Sequence, residues 1–375
     1  MTRWAILTGE YPPQSGGVSD YTRLVARGLA DAGDSVRVYA PPLSEGAEVD
    51  DTGISVRRLP GRFGTRSLAR LDHWLAADKP DRILVQYVPH AFGWKAMNLP
   101  FAIWLATRAR RIAPVSVMFH EVAFPFSWRP LRHALLGGVT RLMAQLVGGA
   151  AERVFVSIPA WGDVLKRYCP RMVYAEWAPV PCTFDVNPHP DAGAEVRRQF
   201  GPVIGHFGTF GAVIAPMLDP ALVEFLNRVP GFAVLLMGRG SREFLERFEL
   251  RHPEWIGRMI STGALPANRV SEYLRACELL IQPFPDGISS RRTSAMAGLA
   301  NGLPVVTNLG QLSEPLWVNG AVAAAATPDP VAIGLLAARL LGDPAARAEL
   351  GRRAGELYRD TFAIEHTIAK LRGER

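Results

Sequence analysis

The sequence predicts an α/β protein built from two open, doubly wound parallel sheets, and three observations point there. The chain has 375 residues, about twice the length of an ordinary domain. Short β-branched runs alternate with longer helical patterns from one end to the other, which is the mark of βαβ units. Near the middle, the stretch PVPCTFDVNPHPDAGAE at residues 179–195 is rich in Pro, Asp and small residues and has no periodicity, so the alternation breaks there.

Taken in order, the first-half strands are expected at Trp4 to Gly9, Ser35 to Pro41, Ile54 to Leu59, Arg82 to Tyr87, Val115 to Glu121 and Arg153 to Ile158. Six strands are enough for one sheet. After the break, strands are expected at Val203 to Gly208, Phe232 to Gly238, Met259 to Gly263, Leu279 to Phe284, Pro304 to Thr307 and Ala321 to Ala326. The domain reading is therefore residues 1–180, a linker at 181–197, a second domain at 198–355, and a helical tail at 356–375. Leu357, Phe362, Ile364, Ile368 and Leu371 give that tail an apolar set. Two such sheets predict a ligand cleft lined by the carboxyl ends of strands, where loops and helix N-termini converge.

Composition narrows the function classes. With 48% hydrophobic and 21% charged residues, disorder and collagen are excluded. Cys169, Cys182 and Cys277 are too few and too scattered for a disulfide framework or a zinc knuckle, which fits a reducing, cytoplasmic compartment. MTRWAILTGEYPP has only a short apolar run and reads as a first strand, not a secretory signal. No run reaches the roughly 18 apolar residues of a spanning helix. Residues 1–180 hold 22 Lys and Arg against 15 Asp and Glu, whereas residues 181–375 hold 20 of each. All of the net charge of +7 thus lies in the first half. Within residues 91–141, Lys95, Arg108, Arg110, Arg111, Arg129, Arg132 and Arg141 face one acid, Glu121. No nucleic-acid module accompanies the band, so nucleic acid is not the expected partner.

Three places after strands carry chemistry. The first loop runs Gly9 to Val18 and contains Gly16 and Gly17 just before a helix, a spacing that lets backbone N–H groups approach an anion. The same residues suit a tight turn capped by Ser19 or Asp20. This loop is not GxGxxG. The near match at Gly238, Arg239 and Gly240 lacks the third glycine, and no acid ends the second strand, which disfavours a dinucleotide-dependent dehydrogenase. Secondly, His120 ends its strand beside Glu121, where an imidazole either bonds a sugar hydroxyl, shuttles a proton near neutral pH, or rests on a backbone carbonyl. Thirdly, in PFPDGISSRRTSAMAGLANGLPVVT, residues 283–307, Ser289, Ser290, Arg291, Arg292, Thr293 and Ser294 surround a helix start. Hydroxyls, backbone donors and two guanidiniums there suit a diphosphate, the alternative being a capped helix with solvated arginines.

These segments resemble a known family. GGVSDYTRLVARGLADAGDSVRVY, the VMFHE strand end, the 283–307 block, Glu314 and the tail YRDTFAIEHTIAKL are similar, in order, to the retaining family-4 glycosyltransferases with two Rossmann-like domains, the GT-B fold. The resemblance implies a nucleotide-sugar donor on the C-terminal domain and an acceptor on the N-terminal one. It also implies transfer in the cleft without a metal or other cofactor, and a last helix that crosses back to the first domain. By position it assigns His120 and Asp286 to catalysis. The expected donor contacts are Gly16, Gly17, Gly208, Thr209, Arg239, Asp286, Gly287, Ile288, Ser289, Ser290, Arg291, Arg292, Ser294 and Glu314. The chain is a divergent member: where the family has two glutamates eight positions apart it has Asp286 and Ser294, and the loop after Gly205 lacks the usual Arg and Lys. Arg291 and Arg292 are the expected replacements. No Asp-x-Asp metal motif occurs, and the acids Glu48, Asp50 and Asp51 read as a solvated loop. A nucleotide-sugar 2-epimerase of the same fold and a binding protein that has lost catalysis are the alternatives.

Phe92, Trp94, Phe101, Trp104, Phe124, Phe126 and Trp128 interleave the basic band. The expectation is a peripheral contact with an anionic membrane face, near a glycan, lipid-linked or small-molecule acceptor of cell-surface glycan or glycolipid synthesis. The competing reading makes those aromatics core residues.

Overall fold

The computed structural model describes residues 1–14, 16–43, 53–93, 96–124, 131–170, 174–189 and 191–374, with the side chain of Leu131 also set aside. The chain divides into two compact units, Met1–Pro179 with Ile364–Arg375, and Val180–Ala363.

In the first unit the strands are β1 (Arg3–Thr8), β2 (Ser35–Ala40), β3 (Ser55–Arg58), β4 (Arg82–Tyr87), β5 (Val115–Phe119), β6 (Arg153–Val156) and β7 (Ala175–Trp177). Among the described residues they form one seven-stranded sheet in the order β3-β2-β1-β4-β5-β6-β7, every neighbouring pair parallel. Helices cover both faces of such a sheet, so its central strands are near-continuous apolar runs; all five residues of β5 are buried. Strand β7 is the one the sequence reading missed. Its residues, Ala-Glu-Trp, carry no β-branched side chain and make only three register pairs at the sheet edge.

The second unit repeats the plan with β8 (Val203–Phe207), β9 (Ala233–Met237), β10 (Met259–Gly263), β11 (Cys277–Ile281), β12 (Val305–Asn308) and β13 (Ala323–Ala325). Their order is β10-β9-β8-β11-β12-β13, again all parallel. Gly238 sits at φ +127°, and a Cβ on it would collide with the carbonyl of Gly208, so the loops after β8 and β9 meet backbone to backbone.

Three expectations change. Residues 181–197 are not a free linker: Cys182 and Val196 lie in a core cluster of the second unit, and the helix Ala194–Phe200 starts within the stretch. The tail joins the first unit at Ile364, later than expected; Phe362 stays in the second unit, stacked on Trp317 at 5.6 Å. Finally, Phe92, Phe101 and Trp104 are buried in the core of the first unit, where Phe92 stacks on Phe101 at 4.3 Å, so they do not present an interfacial surface. Phe124 is half-buried. Trp94, Lys95, Phe126, Trp128 and Arg129 lie outside the described residues, as do Glu48, Asp50 and Asp51.

The tail helix Ile364–Arg372 is fastened to the first unit by both apolar and polar contacts. Arg153 donates to the carbonyls of Lys370 and Leu371 at 2.8 and 3.1 Å, satisfying acceptors that a helix C-terminus leaves open. Lys370 donates to the Trp177 carbonyl at 2.6 Å, and Ile368 packs over Gly28 of the first helix. Truncating Ile368 to Ala should cost about 2–4 kcal/mol of this unit's stability. The change is expected as faster amide hydrogen exchange across residues 364–372, with the β8–β13 sheet unaffected.

Candidate functional site

Each sheet reverses its strand order at one point, β1/β4 in the first unit and β8/β11 in the second, and the loops leaving the two strands diverge there to open a crevice. The residues singled out from the sequence gather at these two places.

In the first unit, Glu10 follows β1, and its Oε1 accepts the backbone N–H of Ser19 at 3.1 Å. A carboxylate of the chain itself therefore caps the helix Gly17–Asp31. A Cβ on Gly16 would push that flexible carboxylate aside. One of the N–H groups at this helix end, near which Gly16 is expected to meet an anion, is thus taken by Glu10. Gly17 is exposed with open space beside it.

His120 is buried just beyond β5, its Nε2 2.9 Å from Gln86 Oε1 and its ring edge-on to Tyr21 at 4.8 Å. Its carbonyl accepts from Trp161 Nε1 at 2.9 Å and Ser157 Oγ at 3.2 Å. Burial pushes the imidazole down to about 3, so it is neutral at physiological pH. Proton shuttling near pH 7 is thereby corrected; a neutral hydrogen-bonding ring is what the environment makes.

In the second unit the loop after β11 is held in place by backbone contacts and one buried acid. Ile288 donates to the Asn308 carbonyl at 2.9 Å, and Leu312 to that of Asp286 at 3.0 Å. Gly287, at φ +87°, has Gly310 and Ser313 against it, leaving no room for a side chain. Glu314 is 7% exposed; its Oε1 accepts the Ser290 N–H at 3.0 Å as well as the Ser290 hydroxyl, and its Oε2 takes the Trp317 indole N–H at 2.6 Å. Expected as a donor contact, Glu314 is thus committed to shaping the loop. Asp286 is paired with both Arg291, at 2.5 Å, and Arg292, whose guanidinium also lies 4.7 Å from the Phe284 ring centroid. Both guanidiniums pair with the Asp286 carboxylate beside the start of the helix Thr293–Ala300.

Ser294 lies in the first turn of that helix, near Gly208, whose added Cβ would sit 3.7 Å from the Ser294 hydroxyl. Thr209 and Arg239 are exposed on the loops after β8 and β9. Ser289 is fully buried, and its Oγ has no hydrogen-bond partner among the described residues. Sequence reasoning missed Glu10, Gln86, His206 and Asn308. His206 donates through Nδ1 to the Ile281 carbonyl at 2.8 Å and is pushed down to about 4, chiefly by burial. Asn308 exchanges two hydrogen bonds with the Phe284 backbone, at 2.9 and 2.7 Å. The available signal was a polar residue at the end of an apolar strand, which Gln86 and His206 both display.

Residues 16–173 match the family described as "Glycosyl transferase 4-like domain". Over the full length, similar solved structures include sucrose-phosphate synthase from Thermosynechococcus elongatus, with a TM-score of 0.74 at 16% identity over 100% of this chain and 98% of that one. Anabaena HepE in complex with UDP and glucose gives a TM-score of 0.71 at 16% identity, covering 100% and 99%. WaaG, a glycosyltransferase involved in lipopolysaccharide biosynthesis, gives 0.66 at 15%, covering 98% and 99%. The chain has the GT-B fold, with a glycosyl transferase 4-like domain over residues 16–173. No curated protein matches the sequence. The family match lies within the unit bearing His120, and the unit bearing Arg291 and Arg292 is similar to these structures in fold.

The buried histidines give a pH test. Each has a folded-state pKa below the usual 6.5, so the unfolded chain binds the proton first as the pH falls. Stability should be full above about pH 6.5 and decline toward pH 4, by at most about 1.4 kcal/mol per pH unit for each ring. Thermal melts of His120→Gln and His206→Gln should show that acid slope flattened.

Proposed function

We propose that the protein is a glycosyltransferase that moves a sugar from a nucleotide-sugar donor, held by the second unit, to an acceptor held by the first, with retention of anomeric configuration and without a metal. The observation that carries the reading is the Asp286–Arg291–Arg292 cluster at the β8/β11 switch point. Its two guanidiniums and the adjacent helix N-terminus suit a diphosphate, which would displace Asp286 from the arginines and free its carboxylate to meet donor hydroxyls. The positive groups then stabilise charge on the leaving diphosphate, the part a cation plays elsewhere. His120, neutral, bonds a sugar hydroxyl and need not transfer a proton. HepE, whose structure holds UDP and glucose, makes UDP-glucose the first donor to assay.

Replacing Arg291 and Arg292 together by Ala should weaken binding of UDP by about a hundredfold or more in calorimetric titration, since each lost charged hydrogen bond costs about 1.5–3 kcal/mol. Unchanged affinity would defeat the assignment, and a product of inverted configuration by NMR would defeat retention.

The acceptor is proposed to lie at an anionic membrane face, with the protein cytoplasmic and peripheral. No helix among the described residues is long and apolar enough to cross a membrane. Support comes from the paired helical segments Leu99–Ile112 and Leu131–Ala150, neither of which contains an acid. Ile103, Leu135 and Leu142 are exposed on them, with exposed Arg110, Arg111 and Arg132 beside them in sequence. Aliphatic side chains thereby take over the role first expected of the buried aromatics. Flotation with phosphatidylglycerol vesicles should recover the protein at low salt, and Leu135→Glu with Leu142→Glu should abolish recovery; no recovery of the unaltered protein would favour a soluble acceptor.

A further inference from the structure

Gln86 is the anomaly in the first sheet. It is the fifth residue of β4, fully buried, beside Thr8 of β1 and Met118 of β5 in register, in a strand whose other central residues are Ile83, Leu84 and Val85. A buried amide is costly unless its polar atoms are satisfied, and here they are satisfied only in part: Oε1 meets His120 Nε2 at 2.9 Å, while Nε2 of the amide has no partner among the described residues. A leucine or methionine would serve the core at lower cost, so packing does not account for Gln86. Its one hydrogen bond points to His120, at the strand end that faces the crevice.

We propose that Gln86 is a positioning residue that holds His120 as the Nε2–H tautomer, so that its Nδ1 lone pair accepts a hydrogen bond from a hydroxyl of a bound sugar. An amide oxygen only accepts, so the hydrogen in the Gln86–His120 contact belongs to Nε2. A neutral imidazole has one hydrogen, which leaves Nδ1 an acceptor, and among the described residues no group donates to it. Tyr21, packed edge-on against the ring, has its own pKa raised by burial, so it adds no charge. The carbonyl of His120, tied to Trp161 and Ser157, fixes the backbone beneath the ring. Backbone and tautomer are both set before a substrate arrives. The identity of the bound hydroxyl as a sugar's rests on the transferase reading above; the tautomer does not.

The test separates the two. In protein labelled with 15N-histidine, long-range 1H–15N spectra should show His120, assigned by its loss in His120→Gln, with Nε2 protonated and Nδ1 bare at pH 7. Gln86→Met should shift that signature toward the other tautomer and lower kcat with UDP-glucose by about tenfold, with KM for the donor within about twofold. A protonated Nδ1 in the unaltered protein overturns the proposal with no variant needed. An unchanged tautomer in Gln86→Met, or a changed tautomer with unchanged kcat, also overturns it. Absence of transfer by the unaltered protein would defeat the transferase reading, while the spectrum of the free protein still decides the tautomer.

Discussion

Because every neighbouring pair of strands in both sheets is parallel, each strand's carboxyl end falls on the same edge of its sheet, and everything chemical about the chain depends on that constraint. Residues more than a hundred positions apart thereby become neighbours. Thr8 pairs in register with Gln86, and Gln86 with Met118, so Glu10, Gln86 and His120 leave one edge from three adjacent strands. The same logic in the second sheet sets the loops after β8 and β11 beside one another. Parallel pairing requires a crossover for every strand, and the helices that provide it hide both faces, leaving the strand-end edge as the place where polar groups collect.

The two edges handle charge differently. In the first unit the positive end of a helix meets Glu10, and the same edge carries the Gln86 amide and the neutral His120 imidazole. Groups of that kind suit hydroxyls. In the second unit, two guanidiniums gather on Asp286 at a helix start, where the positive helix end and bidentate donors suit an anion. Glu314 acts on the loop itself. By accepting from the backbone and hydroxyl of Ser290 and from Trp317, it fixes the loop on which both arginines stand. A buried acid with three donors is a strong fastening, since each of those groups would lose its partner if the loop moved.

The sequence by itself determined the strands. Twelve strands were legible largely as short apolar runs, since parallel strands are buried on both sides. Among the described strands, Ala175–Trp177 escaped, being short and carrying an acid at its centre. The donor loop was legible for a similar reason: Ser, Arg and Gly clustered after an apolar run cannot all belong to a core. What only the tertiary structure decided is which groups answer one another. That Glu10 caps the first helix, that Asp286 is shared by Arg291 and Arg292, and that Phe92, Phe101 and Trp104 are core all depend on spatial neighbours contributed by other strands and helices. Local pattern registers whether a residue is apolar or polar, whereas partnership is set by strand order and register, which no single segment encodes.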